Sequence, residues 1–465
     1  MAGSKKKKKK KKKQSRFNTV KEKITRYYDR IIRQASPGRL LILGYFLLII
    51  AGLGLLSLPF AQKEHVGFLD NLFISASALS TTGFVTVGVA SHYNFIGQLI
   101  VLLLIQLGGM GYMTVASFIM LAREKPISKM SVKILNDEFN LPENFNIVHF
   151  IKETVYFSAA IELAGAVALY IIFQVKGISH PVWSAVFHSI SAFSTAGFSL
   201  FPGSFVQFSN NLALNLVIAL LSIAGGLGFI VFTEIYDRIT RHKKDFSFTT
   251  RIILRVTLIM LVAGTLIFFL SVEDLKKLSV GERLLVSFFQ SMTALTTVGF
   301  NTYPVASIPH APLFLMTIFM LIGASPSGTG GGIKSTTVTA LFAEMKSIVS
   351  GRKKAALFGN SFPEHRMRLA VASFFFYMTI LVTGIYLLLM TEQGKSTFDV
   401  IFEGTSALGT VGLSRGITSS LSSAGKIIIM LMMFLGRIGP LSFGIAFMSS
   451  EKNKNKFEKE EDVAV

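Results

Sequence analysis

The sequence contains no cysteine, one tryptophan and twelve prolines. Without thiols there is no disulfide framework, no thiolate metal site, no iron–sulfur cluster and no cysteine nucleophile. The eight histidines are scattered and none forms an H-E-x-x-H pair, which removes the commonest zinc-hydrolase pattern. Charge is scarce too. Asp, Glu, Lys and Arg make up 16% of the 465 residues, against about a quarter in an average soluble domain. Apolar residues make up 51% and mean hydropathy is +0.55. A soluble chain of this length would divide into about three domains; this composition indicates one polytopic membrane protein instead. Phe (42) and Gly (39) are abundant, and small residues let membrane helices approach closely.

The charge that is present is mostly positive, +21 net, and much of it sits in the unbroken run Lys5–Lys13 and the basic stretch that follows to Arg39. Such a run repels itself and is expected to be disordered. It reads as a solvated or artificial tail, or as a segment drawn to anionic membrane lipid at about 1 kcal/mol per lysine. No folded basic domain follows, so nucleic acid is not an expected partner. The stretch is too charged for a signal peptide, and the first apolar segment lacks a small-residue cleavage pattern.

A spanning helix needs about 20 mostly apolar residues. Candidates are 40–59, 95–121, 155–175, 212–232, 252–270, 369–390 and 427–448, with the shorter 311–323 as an eighth. Lys and Arg concentrate in alternate connections, 123–133, 238–251 and 346–368, which predicts eight spans with both termini cytoplasmic. Each outward hairpin also holds a short apolar segment: 68–80, 181–194, 281–296 and 397–409. These are too short to span and suit re-entrant helices, which are tolerated only inside protein or beside water.

The four short segments align without gaps. Their ends read SALSTTGF (77–84), SAFSTAGF (191–198), TALTTVGF (293–300) and SALGTVGL (406–413), each with a Phe upstream: Phe73, Phe187, Phe289 and Phe402. One T-x-G means nothing, but four at matched places indicate fourfold repetition. The expected fold is all-α, with four span–re-entrant helix–span (M1-P-M2) repeats around a pseudo-fourfold pore. It has a basic tail 1–39, repeats 40–122, 150–236, 252–349 and 369–448, cytoplasmic loops 123–149, 237–251 and 350–368, and a tail 449–465. Four short extended strands side by side could turn backbone carbonyls inward, and such carbonyls can replace the water shell of a monovalent cation. The glycines would permit positive φ, and helix C-termini aimed at the axis favour a cation. Four tight turns between helices are the alternative.

On these motifs the chain resembles the Trk/Ktr/HKT superfamily of potassium transporters over about 40–448. The absence of two extra N-terminal spans makes it more similar to the Ktr-type membrane subunit than to the Trk-type. The resemblance implies a potassium selectivity filter at Thr81, Thr82, Gly83; Thr195, Ala196, Gly197; Thr297, Val298, Gly299; and Thr410, Val411, Gly412, with K+ on their carbonyls. The fourth repeat departs from the pattern at Leu413 and Ser414, and all four lack a second glycine, so rejection of sodium is expected to be looser. No catalytic residues are expected. The resemblance further implies potassium uptake across a bacterial plasma membrane, with sodium dependence left open. It also implies a homodimer and a separate cytosolic RCK-type ring (of the KtrA/KtrC kind) that binds ATP or ADP.

The third repeat is interrupted by Ala324-Ser325-Pro326-Ser327-Gly328-Thr329-Gly330-Gly331-Gly332-Ile333-Lys334-Ser335. A helix cannot cross this without large cost, so the span breaks near mid-membrane and resumes near Thr336. A Walker A loop is excluded because Ile333 separates Gly332 from Lys334. A flexible kink and a transporter-type unwound site are alternatives. The resemblance implies a gating loop over Ser325–Ser335, with Lys334 opposing potassium when it is closed. Arg437 lies within the last span, where a buried cation costs roughly 2.5–3.5 kcal/mol; it reads as a structural ion pair or as a positive barrier below the filter. Glu403, at the position of Ile74, His188 and Gln290, is expected to hydrogen-bond behind the filter, and Glu162 to be a paired carboxylate. Gly108, Gly109, Gly111, Gly225, Gly226 and Gly228 read as close-packing positions. Two rivals remain: a secondary transporter of another small solute, which predicts inverted repeats and a paired break, and an intramembrane hydrolase using Ser325 or Ser327, which lacks a G-x-S-x-G elbow.

Overall fold

The computed structural model describes residues 37–122, 147–241 and 245–439, with positions 127, 132 and 135. The lysine run, most of the loop 123–149, the far half of the last predicted span and the tail 449–465 lie outside the described residues.

Among the described residues the architecture is helical, with one hairpin of two-residue strands. A long helix, a short helix and a second helix recur in order. The long helices are α1 (Pro37–Leu56), α5 (Ile147–Val175), α9 (Phe248–Ser271) and α13 (Glu364–Thr391). The short ones are α2 (Phe68–Leu79), α6 (Pro181–Phe193), α10 (Val280–Thr296) and α14 (Thr397–Leu408). The third members are α3 (Phe95–Met110), α7 (Leu212–Leu227), α11 (His310–Leu321) and α15 (Ser423–Ile438), the first three continuing after a break as α4 (Tyr112–Ala122), α8 (Phe229–Arg241) and α12 (Ser335–Val349). The hairpin β1 (Ala356–Leu357) and β2 (Asn360–Ser361) follows α12.

Hydropathy alone placed the short helices to within a residue at each end. The second spans need correction. Segments 95–121 and 212–232 read as continuous, yet each breaks at a left-handed glycine, Gly111 (φ 77°) and Gly228 (φ 87°), and α15 ends at Gly439 (φ 89°). The α7–α8 break bends the chain by 95°. Four described helices are long and apolar enough to cross a membrane, five if that bent pair counts as one span, so the eight expected spans are reached only by counting all three broken pairs and α15 as well. The third long helix-forming segment of the sequence, 155–175, actually starts at Ile147.

Burial sorts the helices into two layers. Only 22–33% of each long helix's spanning window is buried within the protein, so most of that apolar surface is left for lipid. The short helices are enclosed: Phe73, Phe187, Phe289 and Phe402 are completely buried. Helix starts follow polar caps, with Asn94, Asn211 and Ser422 accepting from first-turn amides of α3, α7 and α15 and a Ser279–Glu282 capping box on α10. Neighbouring groups of helices are tied in cyclic order. Trp183 Nε1 donates to Gln98 at 2.7 Å, Phe205 N to Asn301 O at 3.0 Å, Arg415 to Ala306 O at 3.0 Å, and Lys426 to Asp70 at 2.7 Å.

Candidate functional site

The four short helices end in one recurring C-terminal geometry. In the first, Thr82 N bonds back to Ser77 O (2.9 Å) and Thr81 N to Ala78 O (3.1 Å); this is the Schellman pattern, whose pivotal residue is left-handed and usually glycine. The second and fourth repeat it through Ala196 N–Ser191 O and Val411 N–Ser406 O, both 2.8 Å, and the third through Val298 N–Thr293 O at 3.2 Å. Here the pivot is threonine: Thr81, Thr195, Thr297 and Thr410 have φ of 53°, 49°, 57° and 50°. The expected extended strands are therefore not present. Left-handed backbone costs a β-branched residue about 1–3 kcal/mol, a strain that persists where a site uses it. Glycine would avoid the strain but would supply no hydroxyl.

Two residues on, Gly83, Gly197, Gly299 and Gly412 also have positive φ, between 64° and 92°. They interlock. A Cβ on Gly83 would strike the carbonyl oxygen of Ala196; on Gly197, that of Val298; on Gly299, that of Val411; and on Gly412, that of Thr82. Each glycine thus abuts the next segment's middle carbonyl, and the four contacts close a ring.

The interrupted segment lies across this ring on the side of its threonines. Thr329 Oγ1 is 2.9 Å from Thr195 Oγ1 and donates to Phe193 O at 3.2 Å, while Thr81 Oγ1 donates to Thr329 O at 3.2 Å. Gly330 and Gly331 pass beneath the other two threonines: a Cβ on Gly331 would be 2.5 Å from Thr410 Oγ1, and one on Gly330 would collide with Thr297 Oγ1. The loop therefore needs its glycines for close approach. Lys334 Nζ, on a half-buried side chain, donates to Gly330 O at 2.8 Å.

The breaks in the second helices are where the loop is held. A helix that stops inside the bundle leaves carbonyls and amides that need partners. The end of α7 finds them in the loop: Ser325 N donates to Gly226 O and Thr329 N to Gly225 O, both at 3.1 Å. The start of α8 is capped by Ser327, whose carbonyl accepts from Phe229 N (3.2 Å) and whose hydroxyl accepts from Ile230 N (3.0 Å). The end of α3 is capped by Arg437, which donates to Gly108 O and Gly109 O, and the same guanidinium donates to Thr329 O and to Thr81 Oγ1. Its partners are carbonyl and hydroxyl oxygens, not a carboxylate, so among the described residues the ion-pair reading gives way to a clamp between loop, ring and broken helix.

Sequence reasoning missed an extension of the repeat. Continuing the four-way alignment into the second helices places Gly108, Gly225, Gly323 and Gly436 together, and three residues on Gly111, Gly228, Pro326 and Gly439. Arg437 then occupies the position of Gly109, Gly226 and Ala324, the one long side chain in a place otherwise kept small. The close-packing reading fits Gly108, Gly225 and Gly436, which abut the last carbonyl of a short helix: Leu79, Phe193 and Leu408. Gly111 and Gly228 serve the breaks instead. Gly225→Ala is expected to cost about 2–3 kcal/mol, as overpacking against backbone does, read as a lower melting temperature in detergent. An unchanged value would mean that α7 does not press on Phe193 O.

Other expectations resolve simply. Glu162 receives Gln106 Nε2 at 3.0 and 2.9 Å on its two oxygens. Glu403 accepts from Thr418 Oγ1. Ser325 Oγ faces Ser335 Oγ at 3.3 Å and Ser327 Oγ caps α8, so neither is paired with a histidine or carboxylate among the described residues. The extra breaks weaken one argument against a secondary transporter; the common direction of all four units still stands against it.

Fold and site define a multi-pass membrane protein with a ring of backbone groups at its centre and a loop across that ring. Sequence comparison matches the TrkH family of cation transport proteins over residues 17–457. The Ktr system potassium uptake protein B of Bacillus subtilis is 34% identical over 93% of this chain and 98% of its own. The potassium/sodium uptake protein NtpJ of Enterococcus hirae is 33% identical over the same shares, 93% and 98%. The crystal structure of the potassium transporter TrkH from Vibrio parahaemolyticus has the same fold, with a TM-score of 0.72 and 22% identity over 88% of this chain and 84% of that one. The chain belongs to the TrkH family of cation transport proteins.

Proposed function

We propose that this chain is the ion-translocating subunit of a Ktr-type potassium uptake system in a bacterial plasma membrane. The observation that carries the reading is the closed Thr-x-Gly ring. Carbonyls fixed by left-handed glycines supply the dipoles that replace the potassium hydration shell. The threonine hydroxyls add an inner layer: Thr297 Oγ1 and Thr410 Oγ1 are buried without a hydrogen-bond partner among the described residues, a state that a transiting cation would relieve. The loop over Ser325–Ser335 blocks the inner exit and acts as the gate, and Arg437 with Lys334 holds it shut. Inward movement is driven by the membrane potential, about 2.3 kcal/mol per charge per 100 mV.

The finer assignments follow the relatives. Three are named as parts of a Ktr system, which supports a multi-component assembly: a homodimer of this chain on a cytosolic RCK-type ring that binds ATP or ADP, with both termini cytoplasmic. A second reading, potassium uptake with sodium dependence, is favoured by the potassium/sodium relative and by Leu413 and Ser414 in the fourth segment. The test is rubidium uptake into proteoliposomes loaded with potassium, with and without outside sodium. Uptake of tracer supports the reading, and its absence with the cytosolic ring added sinks it. Thr410→Val keeps the side-chain volume and removes the hydroxyl; it is expected to lower uptake about tenfold, the factor carried by roughly 1.4 kcal/mol. Native uptake in that variant would take the hydroxyl layer out of the mechanism.

A further inference from the structure

Nine residues before each ring glycine, the short helices carry Ile74, His188, Gln290 and Glu403, all completely or almost completely buried. The three polar members reach the same target, the chain just beyond the ring. His188 Nδ1 donates to Ser184 O at 2.7 Å, so Nε2 accepts; it takes Leu200 N at 3.2 Å and the Ser199 hydroxyl at 3.0 Å. With its amide oxygen turned to the loop, Gln290 accepts from Tyr303 N at 2.9 Å and Thr302 N at 3.1 Å. Glu403 accepts from Thr418 Oγ1, which lies 3.0 Å from Ser414 Oγ. Three chemically different side chains at one register each accept from the chain beyond the ring, His188 and Gln290 from backbone amides and Glu403 from a threonine hydroxyl.

We infer that His188, Gln290 and Glu403 are positioning residues that brace the outer end of the ring and thereby set its discrimination between potassium and sodium. The inference rests on the filter reading above. The inner end of each segment is fixed by its Schellman turn, and the outer end has no helix to fix it. A carbonyl ring favours the larger ion only while its oxygens resist closing on the smaller one, so an acceptor that fixes the outgoing chain is felt as selectivity. Glu403 matters most, because it stands behind the segment with Leu413 in place of Phe.

The experiment compares rubidium and sodium uptake by the full chain in proteoliposomes for native protein, Glu403→Val and Glu403→Gln, with melting temperature measured alongside. Glu403→Val is expected to lower the rubidium-to-sodium ratio about tenfold, the factor carried by one lost hydrogen bond of roughly 1.4 kcal/mol. Glu403→Gln, which keeps an acceptor, is expected to restore it. A lower melting temperature with the native ratio would mean packing alone and overturn the inference; so would a ratio lost equally in both variants. If Glu403→Val does not fold, Gln290→Leu decides on the same ratio, since Gln290 accepts only from backbone amides. A native chain that takes up neither ion, with the cytosolic ring present, sinks the filter reading and the inference with it, and is told apart because no variant is needed to see it.

Discussion

Gly299→Ser is expected to cut potassium-driven rubidium uptake by about a hundredfold or to let sodium through at a comparable rate. The new Cβ would occupy the space of the Val411 carbonyl oxygen, and Gly299 has φ of 84°. Something must move, and each atom near enough to move belongs to the ring. A displacement that removes about 2.7 kcal/mol from the bound or transiting ion accounts for two powers of ten. The control is Gly203→Ser. Gly203 also has positive φ, 68°, but nothing lies within 4 Å of the position its Cβ would take. Both variants carry the backbone strain of a non-glycine residue there; only one carries the collision. Equal uptake by the two variants would show that the ring is not the path.

Removal of the Arg437 side chain is expected to act in the opposite direction. In Arg437→Ala, the loop carbonyl of Thr329 and the broken-helix carbonyls of Gly108 and Gly109 lose a charged donor together. Hydrogen bonds to charged groups are worth about 1.5–3 kcal/mol each. Under the proposed gating, the loop as it lies across the ring loses that support and a withdrawn loop does not, so the population shifts toward open. Rubidium uptake without any cytosolic partner should rise on the order of tenfold. Gly436→Ala, one residue earlier, would push on Leu408 O instead and should not raise uptake. A fall in uptake by folded Arg437→Ala would mean that the guanidinium assists the ion and does not restrain it.

The ring segments were readable in the sequence because each lies within a run of residues whose order repeats. The four short helices were legible to within a residue because each is a short apolar run too brief to span. The backbone at Thr81, Thr195, Thr297 and Thr410 was not readable. Threonine favours extended backbone, and only the Schellman bonds and the hydroxyls' surroundings explain why it is left-handed here. The breaks at Gly111 and Gly228 were hidden by hydropathy, which sees that Met110 and Tyr112 or Leu227 and Phe229 are apolar but not which way a glycine turns between them. What fills those breaks was further from reach. The partner of Gly108 O is Arg437 and the partner of Gly225 O is Thr329, residues that only the tertiary fold brings near. Arg437 reads from sequence as an ion pair or a positive barrier; its oxygen partners depend on its place at the position of Gly109, Gly226 and Ala324.

The interlocked glycines also have a history within the making of each molecule. Three of the ring contacts join segments that leave the ribosome one after another, 83 to 196, 197 to 298 and 299 to 411. The fourth joins Gly412 to Thr82, nearly the two ends of the helical chain. Contacts between such distant residues form late, because the intervening chain must be ordered first. The ring therefore has no existence in a partly synthesised chain, and the loop that crosses it is translated before the segment that completes it. By the time residue 412 arrives, Thr329 is already available beneath. The loop is thus in hand before the last ring contact, Gly412 to Thr82, can form.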